Sequence, residues 1–446
     1  MSYLYKHRFS FLLLLIIFNW IGGLFAQSVQ TEKKFIIEKI SVEGNSKTRL
    51  NVIHENIGFA VGDSLTEDQI NAGLENLKQT GFFDEVTLIP RPGSQPGNLD
   101  LTISVDEHYW PSVRFKGGFS ELDGWYITPL SLNFDNIFGF GNLTSLDLTV
   151  GDRITSINFN YINPNIFYSD FDFHLLLSAR TRQFVHYIEG IKLVQNVPQG
   201  GYFLGLRSRD GFFRHFLFGW TLYSSQPDSF ATISGSNDKF YDFPEPLSFY
   251  TKDKFITSAF TVFFDWDKRI QSNYPIGGWW IGFWFTQADQ QLGGTLDFNR
   301  FVVDVRKYNV LFHRLALAAR LKWGAVSDNA PFYEKFYLGG PNSLRGYPDR
   351  SISPIGGGDR LIQGGLELRL PVSGHNYPNH FLTGVIFLDT GSNIVADETF
   401  SIDKFKSSYG FGLRFRLPFI GLLRMDFAYP VDGGKQRIHF SLGHTF

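Results

Sequence analysis

The segment YGFGLRFRL, residues 409–417, alternates strictly between two kinds of side chain. Its odd-numbered positions carry Tyr, Phe, Leu, Phe and Leu, whereas its even-numbered positions carry Gly, Gly, Arg and Arg. Side chains of a β-strand point to opposite faces in turn, so this pattern predicts a strand with one apolar and one polar face. The same alternation recurs in RLALAARLKW (314–323), LLRMDFAYP (422–430) and RIHFSLGHTF (437–446).

The N-terminus carries the features of an export signal. Lys6, His7 and Arg8 precede the apolar run FSFLLLLIIF (9–18), and small residues follow up to Ala26. A basic flank, a short apolar run and a small-residue exit are typical of a secretory signal peptide, which we assign to residues 1–26. The alternative is a membrane anchor, but the run is shorter than the roughly 20 residues that a spanning helix needs. Leu24, three residues before the cleavage site, matches the usual pattern poorly.

Two fold classes fit the alternating strands. In a soluble sandwich the apolar faces form the core, whereas in a membrane barrel they face lipid and the polar faces line a wet lumen. Export, an aromatic content of 17% with 48 Phe, and segments of about 9–11 residues, the length of a tilted spanning strand, favour the barrel. The pattern of residues 110–446 therefore predicts an antiparallel transmembrane β-barrel. Two or three strands fit within 184–225, and because single-chain bacterial barrels have even strand numbers, we predict sixteen.

Residues 27–109 have a different pattern, with the predicted order β-α-α-β-β. FIIEKISVEG (35–44) is a strand, and the segment TEDQ (66–69) is a capping box that begins the second helix. FFDEVTLIP (82–90) and LDLTISVDE (99–107) are two further strands. One small sheet backed by two helices forms a modest α+β core.

This region resembles a POTRA domain, a polypeptide-transport-associated module. The resemblance rests on VEGN (42–45), Gly-Asp at 62–63, TGFF (80–83) and ISVDE (103–107). It implies a single periplasmic domain whose exposed sheet edge binds extended polypeptide by adding a strand. A generic α+β spacer is the alternative.

A long connection at about 325–360 contains PNSLRGYPDR (341–350). It is rich in Tyr, Phe, Leu and Gly, which is unlike a solvated disordered segment, so we expect it to fold back into the barrel. Arg345 would then lie in a confined lumen and need an acidic partner. The next two strands offer Glu367 and Asp389 on their inward faces. Gly346 would let the chain approach the wall, and Tyr347 could stack beside the guanidinium.

At this loop the chain resembles the outer-membrane assembly factor superfamily, the BamA/TamA-type proteins with POTRA domains and a barrel. The segment LRGY is similar to the family's loop signature, and FLDTG (387–391) to its Phe-x-Asp-x-Gly strand; NIFGFGN (136–142) and YINPN (161–165) also match. The similarity spans nearly all of residues 35–446. It implies that Arg345, Gly346 and Tyr347 form a latch, and that Glu367, Asp389 and Gly391 anchor it on the wall. One POTRA domain precedes this barrel, whereas bacterial assembly factors usually carry several.

The resemblance implies an insertion factor for β-barrel proteins in the outer membrane of a Gram-negative bacterium. Unfolded clients would add strands at the POTRA edge and at the seam between the first strand, SVRFKGGFS (112–120), and the last (437–446). Seam residues are Gly117, Gly118, Phe440, Leu442 and Phe446. Expected partners are the lipid bilayer, unfolded or secreted polypeptides, periplasmic chaperones and accessory lipoproteins. A secretion pore of the two-partner type and a passive channel or structural barrel are the alternatives.

Several other functions find no support in the sequence. The net charge of −2 does not suggest a nucleic-acid partner, and the absence of Cys excludes disulfide and thiolate chemistry. The 11 His are scattered without ligand spacing, so no metal site is predicted. GGPN and PIGGGD lack the Lys-Ser/Thr of a phosphate loop. Paired carboxylates on neighbouring strands could suggest a glycosidase, but no substrate cleft is otherwise marked. We therefore predict neither an enzyme nor a cofactor.

Overall fold

The computed structural model describes residues 34–108, 111–120, 124–164, 166, 171–188, 191–208, 215–228, 231–232, 253–270, 275–312, 315–372, 381–417 and 421–442. The predicted signal peptide and Phe446 lie outside the described residues. None of the helices within these ranges is long and apolar enough to span a membrane.

A small α+β unit comes first. Its elements are β1 (Lys34–Glu43), α1 (Leu50–Ile57), β2 (Ser64–Thr66), α2 (Glu67–Gln79), β3 (Phe83–Pro92) and β4 (Asn98–Glu107). The sheet order is β2-β1-β4-β3, and β1 and β4 run parallel while the other pairs are antiparallel. The predicted order lacks β2, whose three residues pair with the start of β1 and are too few to give a periodic signal.

Local signals in the sequence explain both helices and the core between them. Thr66 accepts a hydrogen bond from the Gln69 backbone N–H while the Gln69 side chain accepts one from Thr66 N–H, so the expected capping box is present. The apolar stripes of both helices pack against the inner face of the sheet. Fully buried members of this core include Ile37, Ile53, Leu77 and Ile103.

The second unit is a closed antiparallel barrel. Its strands in chain order are β5 (Ser112–Ser120), β6 (Gly124–Asn133), β7 (Leu143–Gly151), β8 (Ile154–Asn163), β9 (Phe171–Ile188), β10 (Ile191–Ser208), β11 (Leu217–Ser225), β12 (Ala231–Thr232), β13 (Phe255–Asp267), β14 (Gly278–Ala288), β15 (Phe298–Phe312), β16 (Leu315–Val326), β17 (Arg360–Pro371), β18 (Leu382–Ile394), β19 (Lys406–Leu417), β20 (Gly421–Pro430) and β21 (Arg437–Leu442).

Sixteen of these strands follow one another around the wall, and β21 lies beside β5, which closes the barrel. The predicted number of strands is confirmed. Strand β12 has only two residues and pairs with β10 as an addition to the wall. The ambiguous segment 184–225 contains two strands besides the end of β9, because β9 and β10 are each 18 residues long and pair along their whole length.

The faces of the strands follow the alternation of the sequence. Ile386 and Phe440 point outward and are 64% and 63% exposed, whereas Glu367, Arg369 and Asp389 point inward and are buried. Apolar side chains thus cover the outside and charged ones the inside, as a barrel in lipid requires. Because neighbouring strands are antiparallel, successive connections alternate between the two ends of the barrel. The connection 327–359 lies at the end away from the small sheet and folds into the lumen, slightly shorter than the predicted 325–360.

Candidate functional site

The tip of the inward-folded connection is held in shape by its own backbone. Gly340 N–H donates to the carbonyl of Leu344, and Arg350 N–H donates to the carbonyl of Gly339. Gly346 has φ = +88°, a left-handed conformation that glycine adopts without strain, and an added Cβ would lie 3.3 Å from Ser408 and Pro430 on the wall. The turn therefore directs Arg345 against the inner face of the barrel.

Arg345 is fully buried and makes a two-pronged ion pair with the barrel wall. Its Nε lies 2.6 Å from Asp389 Oδ2 and its Nη2 lies 2.8 Å from Asp389 Oδ1. Its Nη1 donates to Glu367 Oε1 at 2.7 Å. The structure thus brings together the arginine of the loop and both predicted anchors, on β17 and β18. A parallel, doubly hydrogen-bonded pair fixes the orientation of a guanidinium as well as its position.

The guanidinium of Arg345 also lies on an aromatic ring, but not on the one expected from the sequence. Its Cζ is 3.5 Å from the centre of the Phe387 ring, a cation–π contact made in a desolvated site. Tyr347 instead donates its hydroxyl hydrogen to the carbonyl of Ser407, at 3.2 Å. Phe387 belongs to the Phe-x-Asp-x-Gly motif, and alternation puts it on the same inward face as Asp389. Strand periodicity alone does not show that its ring lies beneath the guanidinium.

Glu367 is shared by three arginines. Besides Arg345, it accepts hydrogen bonds from Arg369 at 2.9 Å and from Arg414 at 3.2 Å. Arg414 in turn donates to Asp426, at 2.7 Å. Each carboxylate of the cluster thus has an arginine partner, which a buried charge requires.

A fourth arginine of this cluster contacts the loop. Arg424 is fully buried on β20 and donates to the side-chain carbonyl of Asn342. Sequence reasoning did not assign Arg414, Arg424 or Asp426 to the site. Their inward positions on β19 and β20 were visible in the alternation, and that alternation is the signal that could have found them.

Gly391, the third predicted anchor, acts through its lack of a side chain. A Cβ at this position would lie 3.0 Å from a methyl carbon of Leu338 and 3.0 Å from the carbonyl oxygen of Ile362. Leu338 belongs to the inward-folded connection and is buried. Gly391 therefore leaves the space into which the base of the loop packs.

Four of the five predicted seam residues lie on the strands that close the barrel. Gly117 and Gly118 on β5 pair with Ile127 and Tyr126 on β6, and Phe440 on β21 pairs with Met425 on β20. The β5–β6 ladder has a register shift between Arg114 and Lys116, so the first strand is irregular. Leu442 pairs with Leu423, and Phe446 lies outside the described residues.

Another buried carboxylate, that of Glu107, lies where the small unit joins the barrel. Glu107 accepts hydrogen bonds from the backbone N–H groups of Ser46, Lys47 and Thr48 and from the Ser46 hydroxyl. Partial burial by itself would raise the pKa of Glu107, but the hydrogen bonds from Ser46 and Thr48 lower it to about 2. The loop that Glu107 organises touches the barrel, because Asn136 donates its side-chain N–H to the Thr48 hydroxyl at 2.8 Å.

These contacts hold segments of the chain in place. Within the described ranges, no cluster of three or more His, Asp or Glu side chains could hold a metal ion. We call these residues the Arg345 cluster: Arg345, Arg369, Arg414, Arg424, Glu367, Asp389 and Asp426. Direct contacts between its arginines and carboxylates largely neutralise their charges. The arrangement is suited to fixing the loop in one position inside the barrel.

Comparison with known proteins gives this architecture a family. A model described as the Omp85 superfamily domain matches residues 136–446, well over half of the chain. The chain belongs to the Omp85 superfamily. A second model, the POTRA domain described as a surface antigen variable number repeat, matches residues 35–108. The chain is therefore an outer-membrane β-barrel protein with a periplasmic POTRA domain at residues 35–108.

Relatives of this Omp85 protein are found in bacteria and plants. It is 27% identical over 442 residues to the outer membrane protein assembly factor BamA of Nitratidesulfovibrio vulgaris, a match that covers 94% of this chain and 52% of the relative. It is 24% identical to the chloroplastic outer envelope protein 80 of Arabidopsis thaliana, covering 92% of this chain and 56% of the relative. The chain spans about half the length of these two relatives.

Two solved structures share the fold. BamA from Haemophilus ducreyi lacking POTRA domains 1–3 matches with a TM-score of 0.66 at 17% identity, covering 91% of this chain and 83% of that one. CdiB from Escherichia coli matches with a TM-score of 0.57 at 15% identity, covering 92% and 76%. At such low identities these likenesses concern the fold alone.

Proposed function

We propose that this Omp85 protein is an assembly factor that inserts β-barrel proteins into the outer membrane. The observation that carries the proposal is the combination of a POTRA domain and an Omp85 barrel in one chain. Relatives named outer membrane protein assembly factor match over most of this chain, among them those of Nitratidesulfovibrio vulgaris and Neorickettsia risticii. Its substrates are unfolded barrel proteins, and periplasmic chaperones and accessory lipoproteins are its expected partners.

The seam between β5 and β21 is the proposed site of insertion. An open edge in lipid leaves backbone N–H and C=O groups unpaired, so an edge exposed by parting of the two strands would readily pair with an incoming strand. Two features of β5 support a weak seam. Gly117 and Gly118 supply no side chains to pack against the neighbouring strand, and the register shift near Phe115 interrupts the ladder.

The POTRA sheet offers a second edge for clients. Within the described residues β3 pairs with β4 alone, so its other side is an edge that an extended polypeptide can extend. Pro90 and Pro92 lack N–H groups and restrict pairing to the first part of β3. We propose that residues 83–89 receive the client before it reaches the seam.

The Arg345 cluster gives the barrel a fixed interior while the seam works. Its carboxylates lie on β17, β18 and β20, and Gly346 N–H donates to His439 Nε2 on β21 at 3.0 Å. These contacts of the loop therefore lie on the β21 side of the seam. We propose that Arg345, Gly346 and Tyr347 form a latch that keeps the loop anchored through Glu367, Asp389 and Gly391 while the wall opens elsewhere.

A secretion pore is the second candidate, since the CdiB barrels share the fold, and a passive channel is the third. Depletion of the protein in its own organism separates them. Loss of many outer-membrane barrel proteins supports insertion, loss of one exported protein supports secretion, and altered solute permeability alone supports a channel.

A disulfide across the seam tests the mechanism directly, because the chain contains no cysteine. Phe440→Cys is combined in turn with Cys at Val113, Phe115 and Gly117, which are exposed on β5, and the pair that cross-links is chosen. We expect the oxidised variant to fail in a depletion–rescue assay and the reduced variant to rescue growth.

The matched control joins β20 to β21 with Met425→Cys and Phe440→Cys, which are direct partners in the ladder. This disulfide leaves the seam free, so rescue should be the same with and without reductant. Heat-modifiable gel migration verifies that all variants are folded. Full rescue by an oxidised, cross-linked seam would refute insertion through it.

A further inference from the structure

The barrel lumen contains a second polar region, distinct from the Arg345 cluster. It is a cavity of about 390 Å³ between residues of β9–β11 and β13–β17 on one side and residues 333–337 of the inward-folded connection on the other. We call it the basic chamber. A cavity of this size is within the range that small-molecule ligands occupy.

The charges around the basic chamber are strongly unequal. Among the described residues that line it, Glu334 is the one carboxylate. Six cationic side chains line it: Arg180, Arg182, Arg300, Lys322, Lys335 and Arg350. A further carboxylate, Asp359, lies beside the chamber and contacts Lys335 Nζ at 2.8 Å. Even with Asp359 included, the cations outnumber the carboxylates by six to two.

The Arg345 cluster has no such excess. There, four arginines face three carboxylates, and Arg345, Arg369 and Arg414 each lie within hydrogen-bond distance of a carboxylate oxygen. Among the described residues, the lumen thus contains one region with nearly balanced charges and one whose lining carries more cations than carboxylates. Low-dielectric walls strengthen the field of such a surplus.

Contacts of the chamber's arginines hold their side chains in defined positions. Arg300 donates its Nε–H to the carbonyl of Glu334 at 3.1 Å, and its guanidinium lies 4.9 Å from the Phe336 ring centre. Arg180 donates to the side-chain oxygen of Gln199 at 2.9 Å. Both acceptors are neutral oxygens, so these two contacts orient the arginines without adding negative charge.

Arg350 is positioned in the same way from the loop. Its guanidinium lies 4.7 Å from the ring centre of Phe184 and 4.9 Å from that of Tyr337. The planar guanidinium of an arginine has the geometry for two-pronged hydrogen bonds to oxyanions. Hydroxyl donors for the remaining oxygens of a ligand lie on the wall: Thr221, Thr257, Thr261 and Thr286.

We propose that the basic chamber binds a small solute that carries a phosphate-type oxyanion. Guanidinium forks, lysine ammonium groups and threonine hydroxyls are the donors that such a group uses, and the volume leaves room for a compact organic portion beside it. Neither the latch nor the seam uses these residues, so the site can exist whether or not the chain inserts barrel proteins.

Inorganic pyrophosphate is a suitable probe, titrated calorimetrically into the full-length folded protein in neutral detergent at low ionic strength. We expect saturable binding that weakens with added salt, because charge attraction drives it. Trehalose, which is neutral, should not bind. The double variant Arg300→Gln/Lys322→Gln should bind pyrophosphate at least tenfold more weakly, whereas Lys322→Arg, which keeps the charge, should retain binding.

Lys192→Gln is the matched control, since Lys192 is an exposed cation of β10 that does not line the chamber. Heat-modifiable migration checks folding, and the single variant Lys322→Gln replaces the double variant if that one does not fold. Phosphatidylglycerol added to the micelles distinguishes the source of the oxyanion: displacement of pyrophosphate supports a lipid headgroup in the chamber, and unchanged binding supports a soluble solute. The proposal is overturned if the wild-type protein shows no saturable binding, or if the chamber variant and Lys192→Gln bind equally well.

Discussion

Gly410 on β19 leaves the space that the ring of Phe387 on β18 occupies. The two residues are direct partners in the ladder, and a Cβ on Gly410 would lie 2.5 Å from Cζ of Phe387. The same ring supports the guanidinium of Arg345 from below. The position of Arg345 therefore depends on Gly410 on β19, although its carboxylate partner Glu367 lies on β17.

We predict that Gly410→Ala destabilises the barrel and displaces the ring of Phe387. The added methyl group would also lie 2.1 Å from the carbonyl oxygen of Phe427, so the backbone itself must shift. Overpacking of this kind typically costs about 1–3 kcal/mol. Heat-modifiable migration over a temperature series measures the loss of stability. Gly200→Ala is the control, because nothing lies within 4 Å of a Cβ there, and equal shifts in both variants would contradict the explanation.

Arg345→Ala is expected to release the loop while leaving the barrel folded. The substitution leaves Asp389 without its arginine and Glu367 with two of its three, and removal of one partner of a buried pair costs roughly 3–5 kcal/mol. Limited proteolysis from the outside should therefore cut residues 327–359 faster, and depletion–rescue should fail.

The control for this substitution is Arg360→Ala, an exposed arginine at the start of β17. It should leave both the rate of loop cleavage and the rescue unchanged. Full rescue by Arg345→Ala would count against the latch, whereas a barrel that no longer migrates as folded would show that the arginine supports the wall rather than the loop alone.

Much of this architecture follows from the sequence because the relevant signals are local. Alternation within each strand decides which side chains face lipid, and an arginine in a confined lumen requires carboxylates, which left Glu367 and Asp389 as candidates on the next two strands. Alternation also puts Phe387 on the inward face that carries Asp389, but it does not show that the ring lies beneath the guanidinium of Arg345. That contact depends on the β18–β19 register, which places Gly410 opposite Phe387 and leaves space for the ring.

Two further differences have the same origin in non-local structure. Strand β2 forms because three residues, Ser64–Thr66, pair with the edge of β1. Three residues are too few to show a strand periodicity in the sequence. Arg424 and Asp426 lie on alternating inward positions of β20. Arg424 donates to Asn342 and Asp426 Oδ1 lies 3.7 Å from Arg345 Nη1, and both contacts depend on how far the loop enters the lumen. The spacing of residues in the sequence does not predict how deeply the loop enters the lumen.

The two anchors of Arg345 should give different phenotypes. Asp389 contacts Arg345 through three hydrogen bonds, so Asp389→Asn is expected to act mainly on the loop and to increase its cleavage by protease. Glu367 also neutralises Arg369 and Arg414 on the wall. Glu367→Gln should therefore lower the temperature at which the barrel unfolds, in addition to releasing the loop. Identical effects of the two substitutions on barrel unfolding would argue against this division.

Acid should loosen the junction between the POTRA domain and the barrel through Glu107. The folded-state pKa of Glu107, about 2, lies below its ordinary value of 4.5, so its stabilising contribution is complete above about pH 4.5 and is lost as the pH falls toward 2. Hydrogen bonds to a charged group are worth about 1.5–3 kcal/mol. Hydrogen exchange of residues 44–49 in the full-length protein, corrected for intrinsic rates, should show protection that declines over this pH range.

Glu107→Gln should give low protection that changes little with pH, and the exposed neighbour variant Asp106→Asn should behave like the wild type. Strong protection of this loop at pH 2 in the wild type would show that packing against Asn136 and Gly139, rather than the carboxylate, holds the junction together.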